Sequence, residues 1–275
     1  MAVFDRGRRI ELVASDMDGT LIHEAGGLPS AHAIELIERL MDHGVIFVAA
    51  SGRRQVNLER LFAPIADRIG YVCENGGFAQ FRDHRPMIRE FEQDDIEEIC
   101  RLGAEHACQA LIEGPYTSYA PSSDTDLLRY MREEVGYEMR AIEHLEDIDE
   151  PIIKISYFVD PARTKSVCEF FQREFEGRFS VMTSGPIWID LAPEGVSKGS
   201  ALRDLGRTLG IDVANMLAFG DEANDRVMLD TVGHPYLMEG GNPELRGLND
   251  RIRLCSSVED ELERLLAETE ARANA

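Results

Sequence analysis

Short apolar runs that end abruptly in polar loops recur along this chain, alternating with longer segments in which apolar residues return every three or four positions. The first run, Leu12-Val13-Ala14, has the continuous apolar character of a buried strand and gives way at once to Ser15-Asp16-Met17-Asp18-Gly19-Thr20. Ser30 then stands where it can cap a helix whose Ile34, Ile37, Leu40 and Met41 share one face, with Gly44 suited to the C-terminal turn. Val45 to Ala50 predicts a second buried strand, ending in Ser51-Gly52-Arg53-Arg54. Met216 to Phe219 predicts a third, ending in Gly220-Asp221-Glu222-Ala223-Asn224-Asp225, and Arg226 to Asp230 open the next helix. Strand and helix in alternation predict an α/β fold around a parallel sheet. The polar loops then sit at the strands' C-terminal ends, the edge at which open α/β sheets bind ligands.

The pattern changes in the middle of the chain. After a predicted hairpin around Asn75-Gly76-Gly77, helical segments (Asp94 to His106, Asp124 to Glu134, Pro161 to Phe175) mix with short strand-like runs (Ala110 to Ile112, Ile152 to Phe158, Phe179 to Met182). This composition predicts an inserted α+β domain over residues 83–185, within a discontinuous core of residues 1–82 and 186–275. Trp188 is expected to pack where the chain re-enters the core. Val258 to Ala271, with Leu262, Leu265 and Leu266 on one face, predicts a closing helix.

Charge narrows the possible partners. With 29 basic against 51 acidic residues the formal net charge is -22, and no Lys/Arg-rich run compensates, which excludes nucleic acid as the expected partner. A phosphorylated ligand would need concentrated local positive charge, from a metal ion together with a Lys or Arg. The five cysteines are odd in number and lack Cys-x-x-Cys pairing, against a disulfide framework or a zinc site and in favour of a reducing compartment. No stretch has the apolar length of a signal peptide or a membrane span. The expectation is a soluble cytoplasmic protein with no membrane partner. His23, His84, His106, His144 and His234 lack ligand spacing, and Lys198-Gly199-Ser200 lacks the order and upstream glycine of a nucleotide-binding loop.

The chemistry lies in the three polar loops. Asp16 and Asp18 are one residue apart at a strand end, so they project differently and can hold different tasks. One can face a phosphorus atom as nucleophile while the other serves the leaving oxygen as proton donor. Gly19 permits a tight turn, and Thr20 can add a hydroxyl and an amide to a phosphate nest. Carboxylates packed this closely with Asp221 need a divalent cation, and an all-oxygen donor set without His or Cys suits magnesium. Ser51 and Gly52 offer a hydroxyl and unobstructed amides for a phosphate oxygen. Lys198 falls where a helix through Ala201, Leu202 and Leu205 begins; a cation is electrostatically ill placed there, which implies an anionic group opposite.

Taken in order, Asp16-Met17-Asp18-Gly19-Thr20-Leu21, Ser51-Gly52-Arg53, Lys198-Gly199 and Gly220-Asp221 with Asn224-Asp225 resemble the four motifs of the haloacid dehalogenase (HAD) superfamily. The resemblance is to its Cof-type phosphatases, whose class IIB cap lies between the second and third motifs; Asn75-Gly76 and Met228-Leu229 also match that group. It implies a Rossmann-like core with an inserted α+β cap, and an enzyme that hydrolyses a small phosphorylated metabolite: a sugar phosphate, phosphorylated cofactor or nucleotide. It also implies that Asp16 forms the aspartyl-phosphate and that Asp18 protonates the leaving alcohol and then activates water. Magnesium would be bound by the Asp16 and Asp221 carboxylates and the Asp18 backbone carbonyl. Ser51 and Lys198 would hold the phosphoryl group, Asn224 would help, and Asp225 would support the metal or orient Lys198. Arg54 departs from the family pattern, standing where many relatives have a proline. A phosphomutase would share all four motifs, and a receiver-like or non-catalytic phosphate-binding protein would share an aspartate, a hydroxyl, a lysine and magnesium. Receivers, however, are much shorter and lack both a cap and an acid two residues after the nucleophile.

Overall fold

The computed structural model of the chain describes residues 2–23 and 27–273. Two compact units result, one formed by Met1–Met87 with Ser197–Ala275 and the other by Ile88–Val196.

The first unit is built on an eight-stranded sheet. In chain order its main strands are β1 (Leu12–Ser15), β2 (Ile46–Ala50), β3 (Gly70–Cys73), β4 (Phe78–Phe81), β5 (Met216–Gly220), β6 (His234–Met238) and β7 (Arg253–Cys255), with Met87–Ile88 as a short edge strand. Their spatial order is β7-β6-β5-β1-β2-β3-β4, and every neighbouring pair is parallel except the hairpin β3-β4. Residues of β1 and β5 are buried throughout, the burial on both sheet faces that the unbroken apolar runs predict. On one face Leu12, Ala14, Val48 and Val72 pack with Ala201, Leu202 and Leu205 of the helix Lys198–Leu209 and with Met228 and Leu229 of Arg226–Thr231. Each such fully buried Leu or Val contributes roughly 1.5–3 kcal/mol relative to exposure.

Ser30 caps the helix Ala31–Asp42, its side chain accepting a hydrogen bond from the Ala33 amide at 2.9 Å. That helix buries Ala33, Leu36, Ile37 and Leu40, a stripe turned slightly from the Ile34 and Met41 of the periodicity, both of which are half-buried. An N-terminal hairpin, Val3–Asp5 with Arg8–Ile10, carries a carboxylate, Asp5, that is fully buried. Asp5 accepts hydrogen bonds from His234 Nδ1 at 2.5 Å, Arg264 at 2.6 Å and Tyr236 Oη at 3.0 Å, and pairs with Arg253. These donors sit on β6, β7 and the closing helix Val258–Ala273, so one carboxylate ties both ends of the chain to the sheet edge.

The second unit is a six-stranded sheet in the order Arg140–Ile142, Ser118–Pro121, Gln109–Glu113, Lys154–Phe158, Trp188–Pro193, Phe179–Thr183. All pairs are antiparallel except the first. Helices Gln93–Glu105 and Thr164–Glu174 contribute Ile99 and Phe171 to the core of one face, with Ile112, Ile155, Tyr157, Ile189 and Leu191 from the strands. Trp188 belongs to this unit: it pairs opposite Phe158, and their rings lie 5.3 Å apart. The chain therefore leaves this unit after Val196, because Trp188–Pro193 is hydrogen-bonded between two of its strands.

Among the described residues no helix is long and apolar enough to cross a membrane. All five cysteines are free, and all but Cys100 are buried.

Candidate active site

The sheet register brings the polar loops together. Ser15 lies opposite Ala49 of β2 and Phe219 of β5, so β1, β2 and β5 end side by side, and the next residues, Asp16, Ser51 and Asp221, emerge from one edge. The Asp16 amide donates to the Phe219 carbonyl at 3.0 Å, and the Ser51 amide to the Val72 carbonyl at 2.8 Å. Residues about 200 apart in sequence become neighbours by parallel pairing alone.

Lys198 is the centre of the cluster. Its helix starts where it does because Ser197 and Ser200 cap each other: Ser197 Oγ accepts from the Ser200 amide at 3.1 Å, and Ser200 Oγ from the Ser197 amide at 3.0 Å. Lys198 is completely buried, and its Nζ donates to Asp16 Oδ1 at 2.5 Å and Asp225 Oδ1 at 2.7 Å. These are the anionic partners that a cation at a helix N-terminus calls for. Burial alone would lower the Lys198 pKa, but the charges and hydrogen bonds of Asp225 and Asp16 outweigh it and hold the value above that of a free lysine.

Three carboxylates share this one ammonium. Oxygens of Asp16, Asp221 and Asp225 lie within 4.8 Å of one another. Burial is the largest influence raising the Asp16 pKa; Lys198 opposes it, while Asp225 and Asp221 push further upward. Asp221 is raised as well, first by burial and then by Asp225, against a hydrogen bond from Thr20. The cluster thus carries more negative charge than Lys198 balances, in a setting of hard oxygen donors, and that combination fits a divalent cation such as magnesium. Both Asp225 oxygens are already engaged, Oδ1 by Lys198 and Oδ2 by the amides of Asp221 and Glu222 at 2.9 and 3.1 Å. Asp225 is therefore arranged as a support, leaving Asp16 and Asp221 the freer carboxylates.

Gly19 is required at its position. Its φ is +85°, and an added Cβ would lie 2.2 Å from Asp221 Oδ2. Thr20 is fully buried, and its hydroxyl donates to Asp221 Oδ1 at 3.1 Å while its amide donates to the Met17 carbonyl at 3.3 Å. Both Thr20 donors thus have partners within the protein, the hydroxyl on Asp221 and the amide on Met17.

Asp18 stands apart from the buried cluster. Its side chain is half exposed and is gripped by the Arg53 guanidinium, Nε donating to Oδ2 at 2.9 Å and the terminal nitrogen pairing with Oδ1. The carboxylate partner of Arg53 is visible only in the fold. Ser51 is buried, its Oγ accepting from the Arg53 amide at 3.2 Å. Asn224 donates through Nδ2 to Asn75 Oδ1 at 3.1 Å, a contact that the hairpin signal around Asn75 does not reveal.

Comparison with known proteins places this arrangement. Residues 13–258 match the family model of the haloacid dehalogenase-like hydrolases. The 5-amino-6-(5-phospho-D-ribitylamino)uracil phosphatase of Escherichia coli is 24% identical over 231 residues, covering 84% of this chain and 85% of that protein. The HMP-PP phosphatase of Serratia proteamaculans is 24% identical over 258 residues, 91% of each chain. Among solved structures, one from Eubacterium rectale superposes with a TM-score of 0.83 at 26% identity, covering 93% of this chain and 98% of that one. A haloacid dehalogenase-like hydrolase from Bacteroides thetaiotaomicron superposes with a TM-score of 0.79 at 21% identity, covering 93% and 99%, a likeness of fold. The chain belongs to the haloacid dehalogenase-like hydrolases and is a phosphatase of that superfamily.

Proposed function

We propose that the enzyme is a magnesium-dependent hydrolase of a small phosphorylated metabolite and works through an aspartyl-phosphate on Asp16. The observation that carries this is the buried Asp16–Lys198–Asp225 chain beside Asp221 at the C-terminal edge of the sheet. Asp16 is held by Lys198 with one oxygen, leaving the other to attack phosphorus. Asp18, on the half-exposed side of the loop, gives a proton to the leaving alcohol oxygen as the P–O bond breaks, and takes one from the water that then cleaves the acyl-phosphate. Lys198, Ser51, the Gly52 amide and Asn224 hold the phosphoryl oxygens, while Asp225 fixes Lys198. Magnesium, when bound by the Asp16 and Asp221 carboxylates with the Asp18 carbonyl, neutralises the excess charge among the carboxylates and the phosphate.

The relatives' substrates, a ribitylaminouracil phosphate and HMP-PP, support a small polar metabolite. In this reading the inserted unit Ile88–Val196 is the cap that chooses among such compounds, and the enzyme acts in the cytoplasm.

The test is phosphate release from a panel of phosphorylated metabolites with magnesium, ranked by kcat/KM, for the wild type and Asp18→Asn. Asp18 is half exposed, so the variant is expected to fold, with turnover reduced by roughly 10²–10⁴-fold. Unchanged release from Asp18→Asn would remove the acid and base from this mechanism, and full activity in EDTA would remove the metal.

A further inference from the structure

The turn Glu74–Gly76 between β3 and β4 adopts a costly conformation for its residue types. Glu74 and Asn75 both have left-handed backbones, with φ of 48° and 52°, and Gly76 follows at φ +109°. Consecutive left-handed residues that are not glycine persist only where their surroundings hold them, and such outliers concentrate at functional sites. A hairpin needs nothing this specific, since Asn-Gly alone supplies a relaxed two-residue turn.

What holds this turn is the phosphate-binding machinery of the proposed reaction. The Asn75 amide donates to the Ser51 carbonyl at 3.1 Å, and the Glu74 amide to the Arg53 carbonyl at 3.2 Å, so the loop after β2 is laced to the turn through its backbone. The Asn75 carboxamide lies over Gly52, so that a Cβ there would come within 3.3 Å of both Nδ2 and Oδ1. Asn75 Oδ1 accepts from Asn224 Nδ2 at 3.1 Å, and a Cβ on Gly76 would lie 2.2 Å from the carbonyl oxygen of Ser197, the residue before Lys198. One three-residue turn therefore touches the loops that carry Ser51, Lys198 and Asn224.

We propose that Asn75 is a positioning residue for phosphate binding: it orients the Asn224 carboxamide and keeps the Ser51-Gly52 loop open toward the phosphoryl oxygens. A carboxamide nitrogen carries two hydrogens, so one given to Asn75 leaves the other for a phosphate oxygen, in a direction set by the Asn75 contact. This assignment rests on the phosphatase reading of the site but concerns binding and can be measured without turnover.

The experiment is calorimetric binding of inorganic phosphate, with magnesium present, to the wild type, Asn75→Gly, Asn224→Ala and the double variant, accompanied by thermal melts. Glycine keeps the left-handed turn free of strain while deleting the carboxamide, which separates the side chain's role from the backbone's. Asn75→Gly is expected to weaken phosphate binding about five- to tenfold without lowering Tm, and the double variant to lose less than the two single losses together. Additive losses in the double variant, or wild-type affinity in Asn75→Gly, would overturn the proposal. If Asn75→Gly melts early, Asn75→Asp supplies the second measurement. It keeps the acceptor for Asn224 but sets a negative charge over Gly52, so the proposal expects weakened phosphate binding with Tm retained, and unchanged binding overturns it. A chain that binds phosphate in this pattern yet hydrolyses no ester would defeat the enzymatic reading while leaving Asn75 in place.

Discussion

Replacing Lys198 by Met tests the electrostatics of the site most directly. Methionine approximates the lysine stem in length and volume, so the change removes a charge without opening a large cavity. The ammonium it deletes is fully buried and lies 2.5 Å from Asp16 and 2.7 Å from Asp225. Removing one partner of a buried ion pair leaves the other charge uncompensated, at a cost of about 3–5 kcal/mol. At roughly 2–4 °C per kcal/mol for a domain of this size, Tm should fall by about 6–20 °C in EDTA near neutral pH. The deficit should also depend on pH. The Asp16 and Asp221 pKa values already lie above the ordinary aspartate value, and the loss of Lys198 raises Asp16 further. A carboxyl whose folded pKa is raised binds more protons folded than unfolded, so its contribution to stability falls as pH rises from its unfolded value, about 3.9, through its folded one. The variant's deficit should therefore be larger near pH 8 than near pH 5, and magnesium should stabilise the variant more than the wild type by replacing the missing positive charge. Differential scanning calorimetry at the two pH values, with EDTA or magnesium, reads all three effects. A variant that melts with the wild type in EDTA at the higher pH would refute the account of Lys198 as the counter-charge of the cluster.

Two further perturbations probe separate parts of the first unit. Gly19→Ala should destabilise by roughly 1–3 kcal/mol and weaken magnesium binding, because a Cβ at φ +85° would displace Asp221; wild-type kcat/KM at limiting magnesium would contradict that close approach. Burial alone would raise the Asp5 pKa, but hydrogen bonds from His234 and Arg264 and the charge of Arg253 hold it well below the usual carboxylate range. Its stabilisation is therefore complete above its unfolded pKa and lost as pH falls through the folded one, so Asp5→Asn should flatten the acid limb of the stability curve. Chemical denaturation from about pH 6 to pH 2 checks this, and equal slopes for wild type and variant would exclude Asp5 as the group responsible.

The parallel core was legible because its strands are buried on both faces. Leu12-Val13-Ala14, Val45 to Ala50 and Met216 to Phe219 admit no polar residue, and the point where each run stops marks the sheet edge at which the functional loops leave. The second unit was harder to read. Ser118–Pro121 and Trp188–Pro193 are strands whose alternation mixes small, polar and apolar residues, and their state is decided by antiparallel neighbours. Trp188, expected to pack where the chain re-enters the core, has its ring partner, Phe158, across the strand ladder of the second unit.

The same division holds in the site. Asp16, Asp18, Ser51, Lys198 and Asp221 stand out as candidates in the chain because each falls at a fixed offset from the end of an apolar run or the start of a helix, and such offsets are local, whereas Asn224 and Asp225 enter through the family resemblance. Which of them touch was a matter of tertiary structure. Strand register sets Asp16 against Asp225 through Lys198, commits the Thr20 hydroxyl to Asp221, gives Asp18 to Arg53 and hands Asn224 to Asn75. None of these partners is separated by a spacing that local periodicity encodes, because hydrogen bonds between loops depend on which strands lie side by side, and that order is settled only when the sheet forms.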